Sequence, residues 1–220
     1  MSDACARLNS LVELATENAP EKRRKLAVEL CDLLLDWPKS YPAQMREPFE
    51  ALLEKTVRLI DRDTRHALIA RIANAPGVRR EFLNEFFFDA SPELRNAILE
   101  RNADSASAGD AFTTDEHVLV KAARAMNGAF ADAFAQSLGV NAETAARIAQ
   151  DNSAQSLAIA VKGAHLSRAT FSALVLLVCP GKPSEIDTRL AAFDAVADAP
   201  ADAMLAYWRG RTAHSNAQAA

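Results

Sequence analysis

Apolar side chains recur along most of the chain at the spacing that one face of an α-helix requires, roughly every 3.6 residues. Leu26, Leu30, Leu33 and Leu34 form the first clear stripe. Further stripes begin near Phe49, Leu68, Val78, Leu94, Val118 and Phe130, and apolar runs continue to Trp208. No segment alternates apolar and polar residues over the length of a strand, and no hairpin turn separates β-branched segments. We therefore predict an all-α fold of roughly a dozen short helices.

Residues that begin or end helices stand between these stripes. Ser91, Pro92 and Glu93 form one helix start, because serine can accept a backbone N–H bond and proline suits the first helical position. Gly139 can end a helix in the left-handed conformation. Similar start signals precede other stripes, at Thr114, Asn141, Ser153, Ser167 and Ser184.

The second and third helices have starts of a different kind. Pro42 and Pro48 should hold the second helix to the residues after them, since a proline inside a helix removes a hydrogen bond. The third helix should be entered from Asp63–Thr64.

Pairs of helices recur at roughly 30 to 40 residues, the range of HEAT and armadillo units. Residues 61–73, 89–101 and 151–163 share one plan, in which an acid is followed by a short polar turn and a helix. The acid can accept N–H bonds at the helix start, and the arginine can pack across the neighbouring turn. We therefore interpret Asp89 and Arg95 as structural residues, not as an acid–base pair.

Composition divides the chain into parts. Residues 1–102 are expected to form a HEAT-like helical domain, followed by a small, polar and aperiodic linker at 103–111. Residues 112–211 should form a second helical bundle or continue the array. The last segment, 212–220, has no apolar face and is predicted to be a disordered tail.

Charge and cysteine content narrow the function. A formal net charge of −4 and a pI near 5.6 provide no basic surface for nucleic acid or anionic lipid. The apolar run Phe171–Cys179 is too short to span a bilayer. The N-terminal residues lack an apolar signal core, and the three cysteines are widely separated. We expect a cytoplasmic protein with reduced thiols and with neither a nucleic-acid nor a membrane partner.

Motifs that carry chemistry are absent from the sequence. There is no phosphate-binding glycine loop, no C-x-x-C, no H-E-x-x-H and no G-x-S-x-G. We accordingly expect no catalytic residues, no metal and no cofactor, and hence no enzyme. The leading hypothesis is a protein-interaction or signalling-adaptor module, because stacked helix pairs expose an extended surface. A protein partner is expected, and a homo-oligomer is included among the alternatives.

The phenylalanine run "EFFFD" at residues 85–89 is the candidate contact with a partner. Successive helical residues are about 100° apart, so the three rings cannot all face one core. Either neighbouring helices bury all three rings, or some of them form an exposed aromatic anchor. We select Phe87 and Phe88, together with Arg79 and Arg80, as candidate partner-binding residues.

Two alternatives to the adaptor hypothesis remain open. His117, beside Asp115 and Glu116, could be the phosphoacceptor of a phosphorelay component, although a surface histidine next to capping acids has the same sequence. The chain could also be a small-molecule or second-messenger sensor with a pocket between its two halves, near the linker.

Several stretches together resemble a known family. They are "RLNSLVELATENAPEKRRKLAVELCDLLL", "LIDRDTRHALIARIANAP" with "DASPELRNAIL", "DNSAQSLAIAVKGAHLSRATFSALVLL" and "MLAYWRGR". This pattern resembles an uncharacterised family of alphaproteobacterial helical proteins, domain of unknown function 2336, over roughly Arg7 to Arg211. The resemblance implies an all-helical fold with a HEAT-like front half. It implies no activity and no catalytic residues.

Overall fold

The structure is a computed structural model that describes residues 11, 14–15, 19–103, 114–125, 129–179 and 183–218. From Pro20 on, the described residues form twelve α-helices and three short 3-10 helices, and none of them forms a strand. The predicted all-α fold is therefore confirmed. Contacts divide the chain into two compact units, Met1–Ile98 and Leu99–Ala220, which we call unit 1 and unit 2.

Unit 1 is a short array of helices joined by tight turns. Its helices are α1 (Pro20–Leu35), α2 (Arg46–Val57), α3 (Arg62–Asn74), α4 (Arg80–Asn84) and α5 (Pro92–Glu100), the last two residues of which belong to unit 2. The 3-10 helices Ala43–Met45 and Phe87–Asp89 precede α2 and α5.

Helices α1 and α3 run in the same direction. Arg24, near the start of α1, pairs with Asp61 at the start of α3 at 3.0 Å, while Asp32, near the end of α1, pairs with Arg71 at 2.5 Å. Helix α2 lies between them in sequence and packs against α1. Parallel alternate helices are typical of stacked helical repeats, so unit 1 has the repeat arrangement that the sequence predicts.

The predicted leucine stripe of α1 forms part of the unit 1 core. Leu26, Leu30, Leu33 and Leu34 are all buried, and Cys31 lies among them. The neighbouring helices and the turn after α4 contribute further buried apolar residues, namely Leu53, Val57, Ile69, Ile72, Leu83 and Phe86. Burial of each such side chain contributes about 1.5–3 kcal/mol relative to exposure.

Two helix starts differ from the prediction. Helix α2 begins at Arg46, so Pro48 lies inside its first turn and not before it. Proline is tolerated there because the first N–H groups of a helix have no partner within the helix. Helix α3 begins at Arg62, and its cap is Asp61, whose carboxylate accepts the backbone N–H of Thr64 at 2.9 Å.

Unit 2 is built around one central helix. Its helices are α6 (Glu116–Ala125), α7 (Ala129–Leu138), α8 (Ala142–Ala149), α9 (Gln155–Gly163), α10 (Arg168–Val178), α11 (Ile186–Ala195) and α12 (Asp198–Gln218). Seven of the nine residues of α9 are buried, and α8, α10, α11 and α12 all pack against it. A helix that is buried on every side needs apolar residues all round, and "LAIAV" at residues 157–161 provides them.

Helices α9 and α12 approach closely at Gly163. A Cβ atom on Gly163 would lie 2.6 Å from the carbonyl oxygen of Ala201, so a larger residue would force the helices apart. Trp208 of α12 is buried, as its apolar stripe predicts. The helix continues to Gln218, past residue 212, at which the sequence predicts a disordered tail.

Helix caps in unit 2 agree with the sequence at Asn141, Ser167 and Gly139 and differ at Thr114, Ser153 and Ser184. The N-caps of α9 and α11 are Ala154 and Glu185, each one residue after the predicted serine. Asn141 and Ser167 accept the N–H of Thr144 and Thr170, and Gly139 is left-handed at the end of α7. Thr114 does not cap α6; its hydroxyl donates to the carbonyl of Ser137, 2.8 Å away, near the end of α7. A hydroxyl can satisfy a helix C-terminus as well as an N-terminus.

Candidate functional site

One corner of unit 1 is organised by Arg65, in the first turn of α3. Its guanidinium donates to the carbonyl oxygens of Val57 at 3.1 Å, Arg58 at 3.2 Å and Ile60 at 3.0 Å. A further nitrogen, Nη1, donates to Asp89 at 3.4 Å. The cation therefore satisfies carbonyls that α2 leaves unpaired at its C-terminus, where positive charge is favourable.

Arg95 does the same for the next turn. Its Nε and Nη2 donate to the carbonyl oxygens of Phe87 at 3.1 Å and Phe88 at 3.3 Å, and the guanidinium lies over the Phe87 ring at 5.2 Å. Ser91 begins α5 by accepting the N–H of Leu94 at 3.4 Å. Asp89 accepts from Arg65, so both Asp89 and Arg95 stabilise the fold, in agreement with their interpretation as structural residues.

Two apolar side chains remain accessible at this corner. Leu59 is 61% exposed on the turn after α2, and Phe88 is half-buried beside Asp89. The residues next to them in sequence form an ion pair, in which Nε of Arg58 lies 4.0 Å from Oδ2 of Asp89. We call Arg58, Leu59, Phe88 and Asp89 the Leu59–Phe88 corner.

The four residues selected as the partner site are not all exposed. Phe87 is fully buried, so the exposed-anchor hypothesis is wrong for this residue. The reason is local: the run does not continue α4, and Phe87 lies on a separate 3-10 helix that points its ring inward against Arg95. Of the two phenylalanines selected, only Phe88 is partly accessible.

The two selected arginines have intramolecular ion partners. Arg79 pairs with Glu50, which is buried and also accepts from Arg46 at 3.0 Å. Without these arginines Glu50 would be a buried charge without compensation, so Arg79 has a structural role. Arg80 is exposed and lies 3.0 Å from Glu81. The sequence missed Leu59 because it lies outside the apolar stripe of α2.

Glu116 of α6 binds the start of α10. Its carboxylate accepts the backbone N–H of Ser167 at 2.8 Å and the hydroxyl of Thr170 at 2.7 Å. These hydrogen bonds, that of the Ser167 N–H first, lower the pKa of Glu116. The carboxylate thus serves as a cap supplied by a helix far away in sequence.

His117 is exposed in the first turn of α6, as a phosphoacceptor must be. Its two acidic neighbours have other roles, however. Asp115 accepts the backbone N–H of His117 at 2.8 Å, and Glu116 is occupied at α10. The contacts that the structure describes therefore give the phosphorelay hypothesis no specific support.

Asp202 of α12 holds a carboxylate oxygen, Oδ1, that is buried and has no hydrogen-bond partner among the described residues. Nε2 of His165 lies 3.8 Å from this oxygen, on a residue with a left-handed backbone. Burial raises the pKa of Asp202, and the interaction with His165 opposes this effect. A buried polar group left unpaired destabilises the folded state.

Metal-ligating groups and cysteine thiols were considered among the described residues. No group of three or more His, Cys, Asp or Glu side chains there could hold a metal ion. Cys31 and Cys179 are free, as predicted, and both are buried; burial raises the pKa of the Cys31 thiol to about 11. A thiol of this kind is a poor nucleophile because little thiolate forms. Cys5 lies outside the described residues. None of the described helices has the length and apolarity needed to cross a membrane.

Comparison with known proteins identifies a family. The family described as "Uncharacterised protein conserved in bacteria (DUF2336)" matches residues 45–206. That range includes α2 to α11 entirely and the first nine of the 21 residues of α12. No curated protein and no solved structure matches the chain.

Proposed function

This chain belongs to the uncharacterised bacterial family DUF2336, and we propose that it is a cytoplasmic protein-interaction module of the adaptor type. Unit 1 binds a protein partner through the Leu59–Phe88 corner. The observation that carries the proposal is Leu59, which is 61% exposed on a turn that Arg65 holds rigid. The proposal keeps the interaction function expected from the sequence and moves its centre from Phe87 to Leu59.

Rigidity favours binding at this corner. The carbonyls on both sides of Leu59, at Arg58 and Ile60, accept from the same guanidinium, so the turn has little freedom left to lose. An apolar group that is already held in place binds with a smaller entropy cost than one on a flexible loop. Phe88 adds aromatic surface, the type of side chain that often dominates an interface.

The experiment measures binding to a purified partner. The chain is immobilised, proteins retained from a bacterial lysate are identified, and the dissociation constant of the purified partner is determined by calorimetry. Leu59→Ser should weaken binding at least about tenfold, equivalent to about 1.4 kcal/mol. Leu59 is exposed, so this change leaves the core intact.

Leu176→Ser is the matched control, because Leu176 is 62% exposed in unit 2. It should leave the affinity unchanged. If the Leu59→Ser and Phe88→Ser variants both keep full affinity, the Leu59–Phe88 corner is not the binding surface.

The two alternative functions remain predictions with direct tests. Incubation with a small-molecule phosphodonor, with His117→Ala as control, addresses the phosphorelay, and an unlabelled wild-type chain ends that hypothesis. A thermal-shift screen of nucleotides and acidic metabolites addresses the sensor, since a ligand that binds the folded state raises apparent stability. Residues 104–111 of the predicted linker, near which the sensor pocket was placed, lie outside the described residues.

A further inference from the structure

The turn between α9 and α10 holds a histidine in a backbone conformation that glycine usually supplies. The N–H of Leu166 donates to the carbonyl of Val161 at 3.0 Å. The N–H of His165 donates to that of Lys162 at 2.9 Å, which completes the Schellman motif that ends many helices. His165 is the left-handed residue of the motif, with a φ of 55°. Glycine is common at this position because it adopts a positive φ without strain.

The imidazole of His165 faces a carboxylate that lacks a donor. Its Nε2 lies 3.8 Å from Oδ1 of Asp202, in α12. That oxygen is buried and has no hydrogen-bond partner among the described residues. The separation is too long for a hydrogen bond, but a movement of about 1 Å closes it. The side chain of His165 is 76% exposed, so it has room to move and exchanges protons with solvent.

The other charged groups around this turn are already engaged. Lys162, near the end of α9, lies 3.5 Å from Asp198, at the start of α12. Arg168, the first residue of α10, pairs with Asp194 of α11 at 2.8 Å. From α6, Glu116 accepts the backbone N–H just before α10 at 2.8 Å. Among the described residues, the imidazole is therefore the group placed to neutralise the unpaired carboxylate.

We propose that His165 and Asp202 form a proton-operated contact that fastens the turn after α9 to α12. A neutral imidazole has a single N–H, which either ring nitrogen can carry. The protonated ring donates from both nitrogens, so Nε2 then forms a charge-assisted hydrogen bond to Oδ1, roughly twice as strong as a neutral one. Helices α9 and α12 pack against each other, and their contact is thus stronger in mild acid than at neutral pH. This device is independent of the proposed partner site in unit 1.

The contact operates in a limited pH window. A histidine side chain ordinarily gains its proton below about pH 6.5. Asp202 has to stay ionised, and burial raises its pKa above the ordinary value of 3.8; His165 opposes this rise and Asp198 adds to it. The ion pair is therefore present at about pH 5.5 and is lost as pH rises through the histidine transition. It is lost again in strong acid, where Asp202 takes up a proton.

A double-mutant cycle on the full chain tests the contact, with urea unfolding at about pH 7.5 and about pH 5.5. The cycle consists of His165→Gly, Asp202→Asn and the chain with both changes. Glycine suits the left-handed backbone, so the relief of strain is the same in both arms and cancels. The attraction of a histidine cation to the carboxyl end of α9 cancels likewise. A Trp37→Phe background leaves one tryptophan, Trp208 of α12, whose fluorescence follows the unfolding of unit 2.

The coupling between the two changes should appear only in mild acid. At about pH 5.5 it should alter the equilibrium constant for unfolding by about two- to fivefold, as expected for a partly exposed ion pair. At about pH 7.5 it should disappear. His117→Asn is the matched control, because His117 is also exposed in unit 2, and it should show no coupling to Asp202→Asn at either pH.

Amide exchange of the wild type gives a second measurement of the same contact. After correction for the intrinsic pH dependence of exchange, the first turns of α12 should open less often at about pH 5.5 than at about pH 7.5. This difference should be lost in His165→Gly. The proposal is overturned by a coupling that is absent at both pH values, equal at both, or larger at pH 7.5, and by a His165→Gly chain that keeps the wild-type difference in exchange.

Discussion

Units 1 and 2 satisfy their helix ends with the same chemistry but at different sequence distances. In unit 1, three arginines donate to carbonyl oxygens earlier in the chain. Arg46 binds the carbonyl 12 residues before it, and Arg65 and Arg95 each bind a carbonyl 8 residues before them. Each arginine stands in the first turns of one helix and binds the end of the preceding element. Each turn is thus stabilised by residues that the turn itself brings together.

Unit 2 has a bond of this local kind, from Arg189 to the carbonyl of Cys179 ten residues earlier, and adds distant partners. Nε of Arg209 donates to the carbonyl of Leu138 across 71 residues, and Glu116 accepts from Ser167 across 51. Lys162 donates to the carbonyl of Val196 across 34. These bonds form only when the helices around α9 have assembled. Unit 1 therefore has a stability distributed over neighbouring pieces, as in a solenoid, whereas unit 2 depends on long-range packing.

The largest predicted effect tests the long-range packing of unit 2. Gly163→Ala should destabilise the protein by about 1–3 kcal/mol, because the new Cβ overpacks the contact with Ala201. Gly210→Ala is the control: nothing lies within 4 Å of its Cβ position, so the change should be neutral or stabilise the helix by up to about 1 kcal/mol. Urea unfolding measures both. Equal stability of the two variants would contradict the close approach of α9 and α12.

A smaller effect tests the distant cap of α10. Glu116→Gln should cost about 1 kcal/mol at neutral pH, the usual contribution of a helix cap. The folded-state pKa of Glu116 is lowered, so its stabilisation is complete above its ordinary pKa of 4.5 and is lost as pH falls through the folded value. The difference between variant and wild type should therefore shrink in acid. Glu143→Gln, an exposed change in the first turn of α8, is the control.

The smallest predicted effect is a gain in stability instead of a loss. Burial raises the pKa of Asp202, so ionisation costs stability as pH rises above the ordinary value of 3.8. Asp202→Asn should stabilise the protein at pH 7 by less than about 1 kcal/mol, and the gain should vanish in acid. Asp187→Asn, an exposed change in the first turn of α11, is the control. Thermal unfolding at two pH values measures both, and a loss of stability in Asp202→Asn at pH 7 would contradict the unpaired oxygen.

The sequence predicted those parts of the fold that depend on neighbouring residues. Leu26 and Leu30 repeat at helical spacing, and their stripe is buried. Asn141 and Ser167 cap the helices that follow them, since a cap needs only the next three residues. The structural interpretation of Arg95 was correct for the same reason: its two acceptors lie seven and eight residues away.

Other features could be identified only in the folded structure. Nothing near Glu116 or Arg209 indicates that each binds the end of a distant helix. Phe87 is buried because the phenylalanine run breaks into a 3-10 helix, which the helical spacing of Phe82 and Phe86 conceals. Leu59 is conspicuous only once its exposure is known. The candidate binding residues were therefore the least predictable part.

Hydrogen–deuterium exchange of Arg65→Met and Arg209→Met variants tests the contrast between the units most directly. Methionine keeps much of the apolar length of arginine but has no hydrogen-bond donors. In Arg65→Met, faster exchange should be confined to the turn around residues 57–61 and the neighbourhood of Asp89. In Arg209→Met, faster exchange should appear both at the end of α7 and in α12, 71 residues away along the chain. Exchange confined to α12 in the Arg209→Met variant, or spread throughout unit 1 in the Arg65→Met variant, would contradict the account.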